Sequence, residues 1–233
     1  NIKNAAQNYY ENSFKTEGLK SQRKYPNEEL CRFFGRNYFS IENHKRKKIR
    51  ILETGSGSCG NLKMIAQEGF SAYGIDFSKE AINLSKKLFK KENLKGNFQV
   101  GDFTSMDYQN LFFDCVIDVF STCTLGKLDG QKYIKEVNRI LKRRGKFFSY
   151  FPSKKSDMFN LKNRILHDSD TLIALKQKSA YKTNHSLRFM TTRQYCSLLK
   201  KNNFKVSYKE ELMRTYFSGK EKFYFLVIEA IKI

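Results

Sequence analysis

Four acidic residues and one glycine-rich turn carry the chemistry legible in this chain. Glu53 stands two residues before Gly55, and Gly55, Gly57 and Gly60 set out a G-x-G-x-x-G turn after an apolar run. Glycines here leave no Cβ between backbone and ligand. A helix opening near Asn61 adds free N–H groups and a partial positive end. By spacing alone the turn suits a dinucleotide equally well. A carboxylate at Glu53 crowds a pyrophosphate and suits a cation instead. Asp76, Asp102 and Asp118 follow the apolar stretches 71–75, 97–101 and 113–117. In an open α/β sheet the strand C-termini line the ligand crevice, so these acids describe a rim for a ligand with hydroxyls, an amine and a positive charge. Each could equally cap the next helix or accept loop N–H groups. Asp118 is the least determined: cofactor contact, substrate orientation and general base are all open to it.

To bring those acids together, strands must end at them and helices must return the chain. The pattern predicts a strand up to Glu53, a helix over 61–68 stopped by Gly69, and a strand over 71–75. Ser78 is suited to cap a helix over 79–91. The near-continuous apolar run 112–119, broken by Asp114, predicts a central parallel strand buried on both faces. Asp129 is expected to cap a helix to Lys142, and Gly145 to turn the chain into a strand over 146–151. Segment 152–190 is not sheet-like. Its basic, polar and aromatic residues, among them Arg164, His167, Tyr181, His185 and Arg188, predict a substrate lid over the strand ends. Thr191 and Gln194 form a capping-box pattern for a helix over 192–201. Alternation over 204–213 and 222–231 predicts a closing hairpin. Ahead of the sheet, Pro26-Asn27-Glu28-Glu29 reads as a helix start capped by Asn27, with Leu30, Phe33 and Phe34 as its apolar face. Residues 44–48 read as solvated linker. The expected fold class is α/β, one Rossmann-like domain with seven strands and helices on both faces: a cap over 1–48, a core over 49–151, the lid, and a C-terminal helix and hairpin over 191–233.

Three segments, Leu52-Glu53-Thr54-Gly55-Ser56-Gly57, Tyr73-Gly74-Ile75-Asp76 and Gly101-Asp102-Phe103, followed by the helix and turn of 133–145, resemble the class I S-adenosylmethionine-dependent methyltransferases. The resemblance covers about residues 49–151. It implies a mostly parallel sheet with an antiparallel last strand, and S-adenosylmethionine as cofactor with S-adenosylhomocysteine as product. It places Glu53, Gly55, Ser56, Gly57 and Asn61 at the cofactor, Asp76 with Phe77 at the ribose hydroxyls, Asp102 with Phe103 at adenine, and Asp118 as a further contact. N-terminal helices often fold over the cofactor in this family, which makes Tyr25, Asn27 and Arg32 candidate pocket residues. Arg143-Arg144 stands where the family's turn usually carries proline and glycine, a change confined to a surface turn.

Composition narrows the rest. With 233 residues, 40% hydrophobic and 15% aromatic, the chain can build a full core and is not a disordered one. No apolar run approaches the ~18–20 residues of a membrane span, and no leader pattern opens these residues. Five cysteines without C-x-x-C spacing fit a reduced, cytoplasmic protein. His44, His167 and His185 lie in different segments, so no metal site is expected. Asp118-Val119-Phe120-Ser121 is not the Asp-Pro-Pro-aromatic pattern of enzymes that methylate planar amino groups. With prolines only at 26 and 152, a Pro-Cys nucleophile is excluded. The net charge is +21, and residues 154–205 hold twelve Lys/Arg against three acids. Such a balance attracts anions. Arg188 is then a candidate grip on a phosphate or carboxylate, His185 a base or hydrogen-bond donor, and Tyr181 a substrate contact. The cap and compact lid resemble bacterial methyltransferases of surface-polysaccharide and secondary pathways. The expected acceptor is therefore oxygen or nitrogen of a small, polar, anionic molecule, phosphorylated or nucleotide-linked, a capsule phosphoramidate among them. RNA is the less favoured acceptor, since no separate RNA module is present. A monomer or homodimer is expected.

Overall fold

The chain opens on a helix, α1 (Ile2–Glu17), in the computed structural model, which describes residues 2–174, 178–181 and 184–233. Spacing could have found this helix: Ile2, Ala6, Tyr10 and Phe14 recur every fourth residue, one stripe of a helix. Helix α2 (Glu28–Asn37) starts as its residues require, with the Asn27 side chain accepting from Leu30 N at 3.1 Å and Leu30, Phe33 and Phe34 buried. Of residues 44–48, four are exposed as a solvated linker would be, and Arg46 is the exception. Helix α3 (Asn43–Arg46) buries Arg46, whose guanidinium donates to the Phe39, Ile41 and Glu68 carbonyls and to the Glu68 carboxylate. Four charge-assisted bonds on one buried cation tie α3 to the end of the first crossover helix. Arg46→Met is expected to cost about 2–3 kcal/mol in urea denaturation.

Strand β1 (Arg50–Thr54) leads through the glycine turn into α4 (Gly60–Gln67). There follow β2 (Ser71–Asp76), α5 (Lys79–Lys91), β3 (Gly96–Val100), β4 (Phe113–Val119), α6 (Lys127–Ile140) and β5 (Leu141–Pro152). Asp129 does not cap α6; the helix begins two residues earlier behind Gly126, and Asp129 lies in its first turn. Strand β5 likewise starts before Gly145, with an irregularity opposite Phe113/Cys115 that takes up the Arg143-Arg144 departure. Segment 152–190 holds α7 (Asp157–Asn160) and three short strands, β6 (Ile165–Leu166), β7 (Thr171–Ala174) and β8 (Leu187–Arg188), in a small antiparallel sheet. Spacing could not show strands of two residues. Residues 175–177 and 182–183 of this segment lie outside the described residues. Helix α8 (Thr192–Lys201) carries the expected capping box, and β9 (Phe204–Tyr216) and β10 (Glu221–Lys232) form the hairpin.

The main sheet has seven strands in the order β3-β2-β1-β4-β5-β10-β9, with β10 antiparallel to both neighbours. This is the expected Rossmann-like α/β fold with its last strand antiparallel. Successive residues of β5 sort the helices onto two faces, as pleating requires. Phe148 packs on Phe33 of α2, while Phe147 meets Tyr133 of α6 and Phe151 stacks on Tyr195 of α8. The parallel register sets Glu53 beside Gly74 and Ile117, and Thr54 beside Ile75 and Asp118, so the acids of β1, β2 and β4 reach one rim.

Candidate active site

Glu53 sits at the C-terminal end of β1 with 3% of its surface exposed. Asn61, in the first turn of α4, donates from Nδ2 to Glu53 Oε1 at 2.6 Å. The Asn61 Oδ1 in turn accepts from Asn27 N at 2.9 Å, linking the start of α2 to the glutamate. Glu53 Oε2 has no hydrogen-bond partner. Burial, with Asp76 and Asp118 nearby, pushes the Glu53 carboxyl up to about 8 against the pull of the Asn61 bond.

The turn beside it is held by backbone. Gly55 N and Ser56 N donate to Ile75 O at 2.8 and 3.2 Å, and Gly57 N donates to Asp76 Oδ2 at 2.9 Å. Gly55 has φ +66, and a Cβ there would stand 2.3 Å from Ser121 Cβ, so conformation and space both demand glycine. Asp76 accepts a second bond from Ser78 N at 2.9 Å. Burial raises its carboxyl to about 6.

Above these residues lies a cavity of about 490 Å³, lined by Glu53, Gly55, Ser56, Gly60 and Asn61 on one side. The other side is aromatic: Tyr25, Phe120, Tyr150 and Tyr181, with Leu187, Ala180 and Arg23. Phe120 holds the wall together, its ring 5.1 Å from Tyr181 and 5.8 Å from Phe225. Its φ of +58 is rare for a bulky residue, a local strain of the kind found at ligand sites. A narrower space of about 60 Å³ runs between Asp76, Phe77 and Phe103 and the rings of Tyr10 and Phe14 from α1.

Comparison with known proteins bears on this geometry. Residues 52–149 match the family described as a methyltransferase domain. The sterol 24-C-methyltransferase of Saccharomyces cerevisiae is 33% identical over 103 residues, 43% of this chain and 26% of that protein. Human EEF1A lysine methyltransferase 2 is 33% identical over 105 residues, 42% of this chain and 44% of that one. The chain thus spans less than half of either relative. Among solved structures, an S-adenosylmethionine-dependent methyltransferase of Methanosarcina mazei superposes with a TM-score of 0.66 at 24% identity, covering 79% of this chain and 92% of its own. Magnesium protoporphyrin IX methyltransferase of Synechocystis, solved with its cofactor bound, gives 0.64 at 13% identity over 100% and 98%.

Residues 52–149 match a methyltransferase domain, and the sheet they build has the methyltransferase fold.

Within this methyltransferase domain, Glu53, Gly55, Ser56, Asn61, Tyr25, Asn27 and Tyr181 line the larger cavity, and Asp76, Phe77 and Phe103 the smaller. Gly57 stands beneath the Gln22 side chain, whose Oε1 would lie 2.5 Å from a Cβ on that glycine. Five other expected residues are placed elsewhere. Asp102 pairs with Lys3 of α1 and accepts from Thr104 N and Oγ1 at 2.8 Å; these bonds hold its carboxyl low although burial opposes them. Asp118 is fully buried and accepts from Ser121 N and Oγ, Thr122 N and Oγ1, and Ser149 Oγ at 2.6–3.2 Å. Donors from Ser121, Thr122 and Ser149 thus enclose this carboxylate. His185 packs against Tyr9 and Tyr10, with ring centroids 5.0 and 5.1 Å away, and lines neither cavity. Burial lowers its pKa, with the bond to Ser186 O opposing. Arg32 is an exposed residue of α2 facing Glu29 at 3.6 Å. Arg188 leaves the domain's cavity altogether: Leu187 faces it, and the next residue of β8 points the other way.

Sequence reasoning missed Tyr10, Phe14, Gln22, Arg23, Phe120 and Tyr150. The stripe of α1 was available as a signal; the others have none, because which strand end meets which loop is a tertiary fact. Among the described residues no three of His, Cys, Asp and Glu group as metal ligands, and no helix is long and apolar enough to cross a membrane.

Proposed function

We propose that this chain transfers a methyl group from S-adenosylmethionine to oxygen or nitrogen of a small acceptor seated between Phe120, Tyr150, Tyr181 and Tyr25. The observation that carries this reading is the unpartnered Oε2 of Glu53, buried at the wall of a cavity of about 490 Å³. A buried carboxyl with an unused oxygen is suited to a cationic ligand. The residues fit the cofactor: Glu53 and Asn61 for its ammonium end, the Gly55–Gly57 backbone for close approach, and Asp76, Phe77 and Phe103 for its nucleoside. When bound, it supplies a methyl group activated by a sulfonium.

The smaller space holds a few waters and not a nucleoside. Tyr10 and Phe14 must therefore withdraw for the cofactor to lie beside Asp76. Helix α1 is held there by Lys3 on Asp102 and by Glu11, which accepts from Ser78 Oγ at 2.6 Å and Glu80 N at 3.3 Å. These few polar contacts make it the natural gate.

Among the described residues, no group on the aromatic side of the cavity is a base at neutral pH. Burial raises the hydroxyls of Tyr150 and Tyr181 above their ordinary value, and Arg23 carries no lone pair to spare. The acceptor must bring its own, as an anionic oxygen or a neutral amine. What the protein supplies is orientation, which alone can lower a barrier by ~7–11 kcal/mol. A phosphorylated or nucleotide-linked acceptor, or a phosphoramidate of the capsule type, meets both demands: the ring wall takes its planar body, and Arg23, whose charge reaches Tyr150 and Tyr181, takes its anion.

Methyl-labelled donor offered separately to pooled small metabolites, total RNA and total protein tests the reading. Label in the small-molecule pool is expected, and Arg23→Ala should raise the acceptor KM about tenfold while cofactor affinity stays unchanged. Label entering RNA or protein alone would overturn it.

A further inference from the structure

A second cavity, of about 340 Å³, lies on the opposite side of β8. It opens between α6 and α8, where the cations Lys127, Arg188, Arg193 and Lys201 outnumber the one carboxylate of its lining, Asp170, with Gln131 beside them. Tyr150 of β5 faces the methyl-transfer cavity, and its neighbour Phe151 faces Arg188, with the guanidinium 5.2 Å from the Phe151 ring centroid. The two spaces are thus divided by one residue step on β5 and one on β8.

Arg188 is the unusual member. It is 2% exposed, yet no described carboxylate is in salt-bridge contact with it. Its Nε is buried without a hydrogen-bond partner, and its Nη1 makes only a 3.5 Å contact to Lys127 O. Asp118 is already engaged by Ser121, Thr122 and Ser149. Asp170 is held by Lys154, with Lys127 4.0 Å away on its other oxygen. The residues outside the described set include no acid that could serve. Room for the guanidinium has been made in the helix itself, since a Cβ on Gly130 would stand 1.7 Å from Arg188 Nη1. Glycine inside a helix is unfavourable, so α6 bears a cost at the place where this side chain passes. A buried charge without a counterion is costly, and buried polar groups are normally satisfied. Asp118 and Asp170 act on this guanidinium only through space, so its Nε is left to bond an anion from outside the chain.

We infer that this cavity binds the phosphate group of a small phosphorylated ligand, with Arg188 as the buried anchor and Lys127, Arg193 and Lys201 around it. Three observations converge on that chemistry: a cation whose Nε has no partner, three further cations about the same space, and the side-chain amide of Gln131 as a neutral donor. The volume and the depth of Arg188 favour a small ligand over a polymer backbone. The inference does not depend on the methyl-transfer reading.

The test uses the full chain, with inorganic phosphate and pyrophosphate as probes against chloride at matched ionic strength. Phosphate or pyrophosphate is expected to raise the thermal midpoint and to give a calorimetric isotherm, where chloride does neither. Arg188→Met keeps the length and the packing on Phe151 but removes the charge. It should weaken the phosphate response at least about tenfold while binding S-adenosylmethionine as before. Should that variant fail to fold, the double variant Arg193→Ala/Lys201→Ala changes side chains at the cavity mouth and should weaken phosphate several-fold. Equal response to phosphate and chloride, or an undiminished phosphate response in whichever variant folds, would overturn the site. A short single-stranded RNA that binds with steep salt dependence and loses that binding in Arg188→Met would overturn the small-ligand assignment.

Discussion

Glu53→Gln should yield a protein that is more stable above neutral pH and unable to hold its cofactor. In the folded chain burial lets Glu53 keep its proton to about 8, while the unfolded chain releases it near the ordinary glutamate value of 4.5. Between those values the unfolded state binds fewer protons, so stability falls as pH rises and levels off above about 8. At one pKa unit per 1.36 kcal/mol the full loss is about 5 kcal/mol. Asp76, raised to about 6 by burial, adds a slope of the same sign at the acid end. Glutamine stays neutral and still accepts from Asn61, so the variant should lose most of the slope between about 6 and 8 and keep the Asp76 part. A cationic ligand has the opposite demand. It favours the ionised carboxylate, and binding at pH 7 should release close to one proton. Calorimetry in two buffers of different ionisation heat reads that proton directly, and urea denaturation from pH 5 to 9 reads the slope. Proton-neutral cofactor binding with an unchanged slope in Glu53→Gln would remove both the buried-acid argument and Glu53 as the cationic end of the site.

Asp118→Ala is expected to be the most destabilising single change at the rim, by about 3–5 kcal/mol. The substitution strands two backbone N–H groups and three hydroxyls around an empty site. One of those hydroxyls, Ser149 Oγ, also accepts from Tyr195 Oη at 2.8 Å, so the loss reaches α8. The Ser121 hydroxyl also lies 2.6 Å from Thr54 O at the glycine turn, so its single proton is shared between that carbonyl and Asp118. A catalytic base would show the reverse pattern, a normal melting temperature with a collapsed kcat. The expected result is a melting temperature many degrees lower with kcat per folded molecule retained. Ser149→Ala serves as the graded control: it removes one donor and should cost about 1 kcal/mol.

Much of the fold was legible in residue order because it depends on local periodicity. Ser78 caps α5 and Thr191 boxes α8 because a side-chain oxygen reaches its own third neighbour wherever the helix lies. The run 113–119 is apolar on both sides because a central parallel strand has two buried faces. The order Glu53, Asp76, Asp118 at successive strand ends, with a glycine turn after the first, was enough for the sheet and for a crevice at its rim. What residue order could not decide is the direction of each side chain once the rim is assembled. Asp118 and Glu53 are both acids at strand ends, yet hydroxyls from two other segments enclose one, and the other keeps an oxygen without a partner. Leu187 and Arg188 are adjacent, yet the pleat of a two-residue strand sends them into different cavities. Tyr10 reaches Phe77 and His185 from a helix more than sixty residues upstream of Phe77. Such outcomes depend on contacts between segments far apart in the chain. Local spacing carries no record of those contacts, so the domain's identity was readable from sequence, while its division into two cavities had to come from the tertiary structure.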